Sequence, residues 1–288
     1  MTQASNFRLL YRNRVDDGIA TASSQLAGAE AAFVQTMDPG DAWRANGKTS
    51  EHVQIDFGAA VSITHGGAVE HNLDATGTIS FRLSNDATFD PANDLFNSGD
   101  QEAWEPVAGF GYDGLGSSLG GYPILDAFND WAPLKVFDCG GSISARYARF
   151  TFKNPTNAAI SGVACGRLFA GTGAQGQRNF AWDWVKDWED PSDVQDTEAG
   201  VRIKRRRRRQ VLRIEPKFLT ETEALTWWDD LKRTVGASKD VILELFPAAT
   251  APKRYRTSLY GVPVDRGGTR NPFLDVYASS IHVRELRA

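Results

Sequence analysis

Four histidines are the residues of this sequence whose type most often supplies a metal ligand or a catalytic base. His65 and His71 bracket the segment THGGAVEH, which lacks the HExxH spacing that places two zinc ligands on one helical face. His52 and His282 fall in segments with the alternation typical of β-strands. We interpret all four as ordinary hydrogen-bonded side chains, and the sequence predicts no metal site.

Nucleophiles and paired carboxylates give no stronger signal. Cys139 and Cys165 have no CxxC spacing, so we expect two free thiols in the core. No pair of carboxylates stands out for glycoside hydrolysis. The acidic residues of segment 84–106 lack EF-hand spacing, and the segment is predicted to be a long surface loop. We therefore predict that the protein is not an enzyme and uses no cofactor.

Three tryptophans in predicted loops of the first part of the chain, Trp43, Trp104 and Trp131, are the candidates for contact with a glycan. An exposed indole would stack on a sugar ring, whereas a buried one would cover the end of a β-sandwich. We favour the second interpretation and keep glycan contact as the alternative.

A second group of tryptophans lies in the segment WDWVKDW, where Trp182, Trp184 and Trp188 alternate as they would in a strand. We interpret these side chains as core residues or interface anchors rather than ligand contacts.

Six consecutive cations, KRRRRR at residues 204–209, run directly into a predicted strand. Their guanidinium groups repel one another but suit bidentate bonds to the carboxylates of a partner. Our hypothesis is that Arg205, Arg207 and Arg209 form an assembly contact. The alternative is a solvated strand edge that prevents unwanted pairing.

The net charge of −4 is unevenly distributed. Residues 1–170 carry 11 Lys+Arg against 19 Asp+Glu, and the remainder carries 21 against 17, so the two parts have net charges of −8 and +4. This asymmetry suits head-to-tail packing of copies, and the overall acidity argues against nucleic acid as a partner. No segment reaches the roughly 20 apolar residues of a membrane span, and the N-terminal residues do not resemble a signal peptide, so we expect cytosolic synthesis.

Short alternating segments separated by turn-forming residues predict a β-sandwich in the first part of the chain. The small-residue segment 171–176 is predicted to separate this domain, residues 1–172, from a second domain, residues 177–288. We expect the first domain to fold on its own. Its predicted strands are 52–57, 78–83, 135–138 and 145–152.

The second domain is predicted to be another β-sandwich that carries one amphipathic helix, residues 221–235. A capping box of Thr220 and Glu223 starts the helix, and Gly236 ends it. The expected apolar stripe consists of Leu225, Trp228, Leu231 and Val235. Strands are predicted at 211–214, 241–246, 254–260 and 273–286, with a bulge near Ser279 in the last.

The first domain resembles the discoidin, or galactose-binding-like, jelly roll. The residues that carry this resemblance are Ala22 to Ser24, Trp43, the strand VQIDFG at 53–58, the segment GTISFRLSND at 77–86 and RYARF at 146–150. The whole chain is similar to tail proteins encoded beside the tape-measure gene of siphophages. The features shared there are CGRLFAG at 165–171, the tryptophans before an Asp-Pro, the arginine-rich strand, LTETEA at 219–224 and Tyr260-Gly261.

The second resemblance implies a structural component of a bacteriophage tail tip or baseplate, similar to distal tail proteins. Such a protein lies in the virion, forms a ring with its own copies, and joins the tail tube to the tail hub. The alternative is a glycan-binding, lectin-like protein that recognises host surface polysaccharide through its first domain.

Overall fold

The computed structural model describes residues 6–105, 118–119, 122–123, 133–180, 184–197, 200–204, 206–236, 238–249, 251–265 and 267–287. The mainly β fold predicted from the sequence is confirmed. Its strands are β1 (Arg8–Asn13), β2 (Ile19–Ala22), β3 (Trp43–Arg44), β4 (Glu51–His71), β5 (Thr78–Ser84), β6 (Asp94–Asn97), β7 (Gln101–Glu102), β8 (Ser118–Leu119), β9 (Tyr122–Pro123), β10 (Leu134–Lys153), β11 (Ala164–Gln175), β12 (Val185–Glu189), β13 (Asp193–Thr197), β14 (Gly200–Lys204), β15 (Arg209–Ile214), β16 (Val241–Glu244), β17 (Ser258–Asp265), β18 (Arg270–Phe273), β19 (Val276–Ala278) and β20 (Ile281–Glu285).

The described residues contain fewer helices than strands. Helix α1 spans residues 221–235 and contains a π-helical turn at Ala224–Trp228, and α2 is Ala251–Thr257. Short 3₁₀ turns occur at Val15–Asp17, Ala31–Gln35 and Pro91–Asn93. Within the described residues, no helix is long and apolar enough to cross a membrane.

Two long strands, β4 and β10, build the jelly roll of the first half because each contributes to both layers. They pair along most of their length, but their register breaks beside Gly58 and Gly140, which have φ of 74° and 71°. Only glycine adopts this conformation without strain, so the strands bend there. One layer contains β2, β5 and β6, and the other continues into β11. Gly66 of one layer faces the ring of Phe81 of the other.

The second half is an antiparallel sheet, in the order β12, β15, β20, β17, β16, covered by α1. The capping box of Thr220 and Glu223 is present, and Gly236 ends the helix at φ 56°, as predicted. Leu225 is an exception, because it is 60% exposed instead of lying on the apolar stripe. The π-helical turn around it changes the helical phase, so the 3.6-residue pattern does not extend through this position.

Strand β1 connects the two halves in one continuous sheet. It pairs with β11 on one side and with β16 on the other. Phe7, Leu9 and Tyr11 pack in the hydrophobic cluster of the second half, although they precede the first. The segment 171–176, predicted to separate the domains, is strand up to Gln175, where it extends β11. The division into domains 1–172 and 177–288 stays a prediction.

Three further local predictions need correction. Residues 254–257 belong to α2, and the strand begins only at Ser258. The change of phase near Ser279 is not a bulge within one strand, because β19 pairs with β18 in a separate two-stranded sheet and β20 joins the large one. The segment 84–106 contains β6 and β7 in addition to turns.

Candidate functional site

Trp43 and Trp104 are core residues, so the hypothesis that they contact a glycan is wrong. Trp43 is fully buried, packs against Phe152, and its Nε1 donates a hydrogen bond to the carbonyl of Ser24 (3.0 Å). Trp104 is 4% exposed and donates to the carbonyl of Leu73 (2.8 Å). A ring without an exposed face cannot stack on a sugar. Trp131 lies outside the described residues.

Four of the six residues predicted to form an assembly interface are described, and they lie on or near the outermost strand of the second half. Trp188 on β12 is 40% exposed, and Trp184 is partly buried against Phe246. Arg207 and Arg209 are exposed, and Arg209 lies opposite Glu189 in the β-sheet register. Trp182 and Arg205 lie outside the described residues.

His65 contacts a hydroxyl on one side of its ring and lies near a carboxylate on the other. Its Nδ1 is 2.7 Å from the Thr64 hydroxyl, and its Nε2 is 3.9 Å from Asp138. Burial, with a smaller contribution from Arg8, lowers the pKa of His65 to about 4. The Thr64 hydroxyl also accepts the backbone N–H of Gly173 (2.9 Å), so we interpret this group as a link between β4 and β11.

The two cysteines are free thiols, as predicted. Cys165 is buried and Cys139 is half-buried, and burial raises the pKa of each thiol to about 12. Among the described residues, no group of three potential metal ligands is found.

A polar trough lies on the outer face of the first half. Alternation along β10 explains its origin: Phe150 and Phe152 point into the core, and Arg149, Thr151 and Lys153 point outwards. The trough has a volume of about 440 Å³. Its lining residues are Ser50, His52, Ser80, Arg82, Asn97, Gly99, Asp100, Arg149, Thr151 and Lys153.

The β-sheet register aligns these side chains in rows across the strands. Arg149 lies opposite Gln54 of β4 and Arg82 of β5, and Arg82 lies opposite Asn97 of β6. In the next row, Thr151 lies opposite His52 and Ser80. Four strands at a spacing of roughly 4.8 Å give a floor about 14 Å across. The polar groups are therefore fixed by backbone pairing and not by loop conformation.

Phe89, a buried residue next to the trough, packs against two of its arginines. The ring is 2% exposed, and the guanidinium carbons of Arg149 and Arg82 lie 4.2 Å and 5.4 Å from its centroid. Phe89 has a φ of 56°, which is strained for a residue with a side chain. Arg82 also donates to the Phe89 carbonyl (2.7 Å). These contacts stabilise the strained turn and orient both guanidinium groups.

The charges of the trough are only partly compensated. Arg82 makes a bidentate ion pair with Asp94, with both N–O distances at 2.8 Å, and Lys153 pairs with Asp100 (2.6 Å). Arg149 bonds to the neutral amide oxygen of Gln54 and makes no ion pair with any described residue. The positive charge of Arg149 is therefore left without a paired carboxylate among the described residues.

The pKa of His52 depends on this electrostatic environment. Burial lowers its pKa below the ordinary value, and the charge of Arg149 lowers it further, while Glu51 acts in the opposite direction. The imidazole is consequently neutral near pH 7 and presents one donor and one acceptor. Together with the hydroxyls of Ser80 and Thr151, it gives the trough hydrogen-bonding groups of both kinds.

A second cavity, of about 270 Å³, lies between the two halves of the chain. It is lined by charges that pair with one another: Arg8 is 2.9 Å from Asp138 and 3.0 Å from Glu244, and Lys135 is 3.5 Å from Glu105. Burial raises the pKa of Glu244. Because its cations face carboxylates of the same chain, this cavity has the character of a structural ion-pair network.

The sequence alone does not predict the trough, because His52 and the outward-facing arginines are recognisable there only as residues of predicted strands. The available signal was the alternation RFTFK at 149–153 and SFR at 80–82, in which hydrogen-bonding residues occupy every position that faces away from the core.

No family model matches this chain, and no curated protein matches it either. Solved structures show a distant likeness over just over half of it. Chitosan-binding module 1 of a chitosanase/glucanase from Paenibacillus sp. IK-5 is 13% identical and matches 56% of this chain and 100% of its own, with a TM-score of 0.38. The CBM32 of AlyQ, solved with 4,5-unsaturated mannuronic acid, is 17% identical over 56% of this chain and 96% of its own (TM-score 0.35). CpGH89CBM32-5 from Clostridium perfringens, solved with GalNAc-β-1,3-galactose, is 11% identical over 56% and 100% (TM-score 0.37).

Proposed function

We propose that this protein is a non-catalytic binding protein that recognises a surface polysaccharide through the polar trough. The observation that carries the proposal is the row arrangement of hydrogen-bonding side chains across β4, β10, β5 and β6. A saccharide presents many hydroxyl groups on both faces, so it needs several donors and acceptors at fixed spacing. The trough provides them on a rigid sheet that requires little rearrangement on binding.

The test is binding of the purified full chain to a panel of bacterial surface polysaccharides, followed by a pair of matched variants. Thr151→Ala removes a hydroxyl from the trough, whereas Ser144→Ala removes one from an exposed position on the same strand. We expect Thr151→Ala to weaken binding about fivefold, which corresponds to about 1 kcal/mol for one hydrogen bond, and Ser144→Ala to have no effect. Equal effects, or no binding to any polysaccharide, would contradict the proposal.

The proposal includes the absence of hydrolysis. The carboxylate that lines the trough, Asp100, is paired with Lys153, and the nearby Asp94 is paired with Arg82, so the site offers no free pair of carboxylates for glycoside hydrolysis. Incubation with peptidoglycan, capsule or esters should release no product. Release of reducing sugar that disappears on replacing one carboxylate would show that the protein is an enzyme.

A second candidate function is that of a structural component of a bacteriophage tail tip or baseplate. The observation that favours it is the outermost strand β12, where Val185 and Trp188 are exposed beside the basic residues 206–209. On this proposal, copies of the protein form a ring in the virion, in contact with tail-tube and tail-hub proteins. The basic residues of one copy would bind the acidic first part of the next.

The test is simultaneous replacement of Arg205, Arg207 and Arg209 by glutamate in the phage genome. The isolated variant should keep its melting temperature, because the described members of this set are exposed. It should fail to enter virions when these are analysed by mass spectrometry. Normal incorporation and infectivity would show that the cluster is a solvated edge.

A further inference from the structure

We infer that the polysaccharide bound by the trough is anionic, and that a carboxylate of an acidic sugar binds the guanidinium group of Arg149. The inference rests on the proposed polysaccharide-binding function and adds the class of ligand. The charges, the geometry and the composition of the trough support it.

The positive charge of Arg149 has no counterpart within the trough. The other two cations of its floor and rim are already paired, Arg82 with Asp94 and Lys153 with Asp100. Arg149 is half-buried, so its charge is only partly solvated. A negatively charged group at this position would restore the solvation that burial removes, whereas a neutral hydroxyl would do so much less.

The guanidinium plane of Arg149 is held in one orientation. Its Nε and Nη2 donate to the Gln54 amide oxygen (3.2 Å and 2.6 Å), and Phe89 packs against its face at 4.2 Å. These contacts fix the side chain before a ligand arrives. The Nη1 atom makes no hydrogen bond with any described residue, and it is therefore available to an incoming oxygen. A planar, oriented donor of this kind suits a carboxylate better than a lysine ammonium would.

The composition of the trough points to the same class of ligand. Its lining residues include no phenylalanine, tyrosine or tryptophan that could serve as a platform for a sugar ring. Hydrogen bonds to neutral hydroxyls replace bonds to water and add little net affinity, while bonds that involve an ionised group are roughly twice as strong. A trough with one uncompensated cation and no such platform is thus selective for an acidic polymer.

The electrostatics of the neighbouring residues favour an anion at Arg149. Burial and the charge of Arg82 lower the pKa of Arg149, and Asp94 only partly offsets them. The pKa of His52 is lowered by burial and by Arg149. An anion bound at Arg149 would act on His52 in the opposite direction, so the pKa of His52 should rise when the ligand binds.

The experiment compares two acidic polymers, polygalacturonate and polymannuronate, with their carboxyl-reduced, neutral counterparts. We expect the full chain to bind at least one acidic polymer about tenfold more tightly than its neutral form, and this preference to fall as the salt concentration rises. Arg149→Gln should abolish the preference, and Arg149→Lys should restore part of it. Arg146→Gln, which changes an exposed arginine paired with Asp56 outside the trough, is the control and should have no effect.

A second readout is the pKa of His52, followed by NMR titration with and without the acidic polymer. A rise on binding in the native chain, absent in Arg149→Gln, supports the inference. If the neutral polymers bind as tightly as the acidic ones, the ligand class is wrong while polysaccharide binding stands. If the chain binds neutral polysaccharides from the panel but neither acidic polymer, the inference is also wrong. Binding to none of them overturns both proposals.

Discussion

Arg167 and Asp240 form a buried, two-point ion pair that joins the two halves of the molecule. Arg167 Nε lies 2.7 Å from Asp240 Oδ2, and Nη2 lies 3.1 Å from Oδ1. On its other side the guanidinium binds Asp16 (2.5 Å and 2.9 Å), and the Tyr260 hydroxyl donates to Asp240 (2.9 Å). Burial lowers the pKa of Arg167, but the two carboxylates outweigh it and raise the pKa above its ordinary value.

Replacing Asp240 with asparagine should therefore destabilise the whole protein. Arg167 is fully buried, so removing one of its two negative partners leaves a charge that neither water nor the remaining carboxylate fully compensates. We expect a loss of about 3 kcal/mol in the free energy of unfolding, measured with urea. Asp17→Asn, at an exposed pair with Arg14 (3.6 Å), should cost less than about 1 kcal/mol. Similar losses for both variants would contradict this role of the buried pair.

Gly171→Ala should be strongly destabilising, because Gly171 lies within β11 and not in a flexible linker. A Cβ atom at this position would overlap the carbonyl oxygen of Arg12, which belongs to the paired strand and cannot move away. We expect the melting temperature to fall by an amount that corresponds to about 3 kcal/mol. Gly141→Ala is the control, since nothing lies within 4 Å of its added methyl group. A tolerated Gly171→Ala would show that the close approach of Arg12 to this position is not needed for stability.

The error at 171–176 shows what local patterns do not encode. Strong alternation, as in 145–152, is imposed by one buried and one solvated face, so the strands of the jelly roll were predictable. Gly171 and Gly173 look like linker residues because their lack of side chain is usually read as flexibility. Here they make room for Arg12 and Leu10 of β1, a strand that is distant in sequence. Close approach between distant strands leaves no local signal.

The candidate site was missed for a related reason. The tryptophans are the glycan-contact candidates that the sequence offers, and the favoured interpretation that they are buried is correct for Trp43 and Trp104. Arg82 and Arg149 become neighbours only because β5 pairs with β10 in this register. The two strands are far apart in the sequence, and the length of the segment between them does not reveal how they align. The capping box at Thr220, by contrast, was predicted correctly, since all its atoms lie within four consecutive residues.

Stability should fall as the pH is lowered from 7 to 5. Burial, and to a lesser extent Lys135, lowers the pKa of His71 from 6.5 to about 3. The unfolded chain therefore binds a proton below pH 6.5 that the folded chain does not accept. The stability contributed by the neutral imidazole is full above pH 6.5 and decreases by about 1.4 kcal/mol per pH unit as the pH falls towards 3. His65, whose pKa is lowered to about 4, adds to this loss.

His71→Phe isolates the contribution of one residue. The variant keeps a ring beside Trp104, whose centroid is 5.6 Å from that of His71. We expect the difference in unfolding free energy between pH 7 and pH 5 to be about 2 kcal/mol smaller than in the native chain. His282→Gln, at a less buried histidine, should leave most of the pH dependence unchanged. An unaltered slope in His71→Phe would show that His71 titrates normally.

Glu223 does more than complete the capping box. Its Oε2 accepts the backbone N–H and the hydroxyl of Thr220 (2.9 Å each), and its Oε1 accepts the N–H of Gln177 (2.7 Å). Glu223 is only 5% exposed, so its replacement by alanine would empty a buried position and leave donors of two separate segments without this acceptor. We expect a cost of about 3 kcal/mol in urea unfolding, above the ~1 kcal/mol of an ordinary helix cap.

Glu221→Ala, in the same turn but exposed, should cost less than about 1 kcal/mol. Glu223→Gln keeps one oxygen acceptor and should fall between them. If Glu223→Ala costs no more than Glu221→Ala, the bond to Gln177 does not hold the end of β11 against the helix.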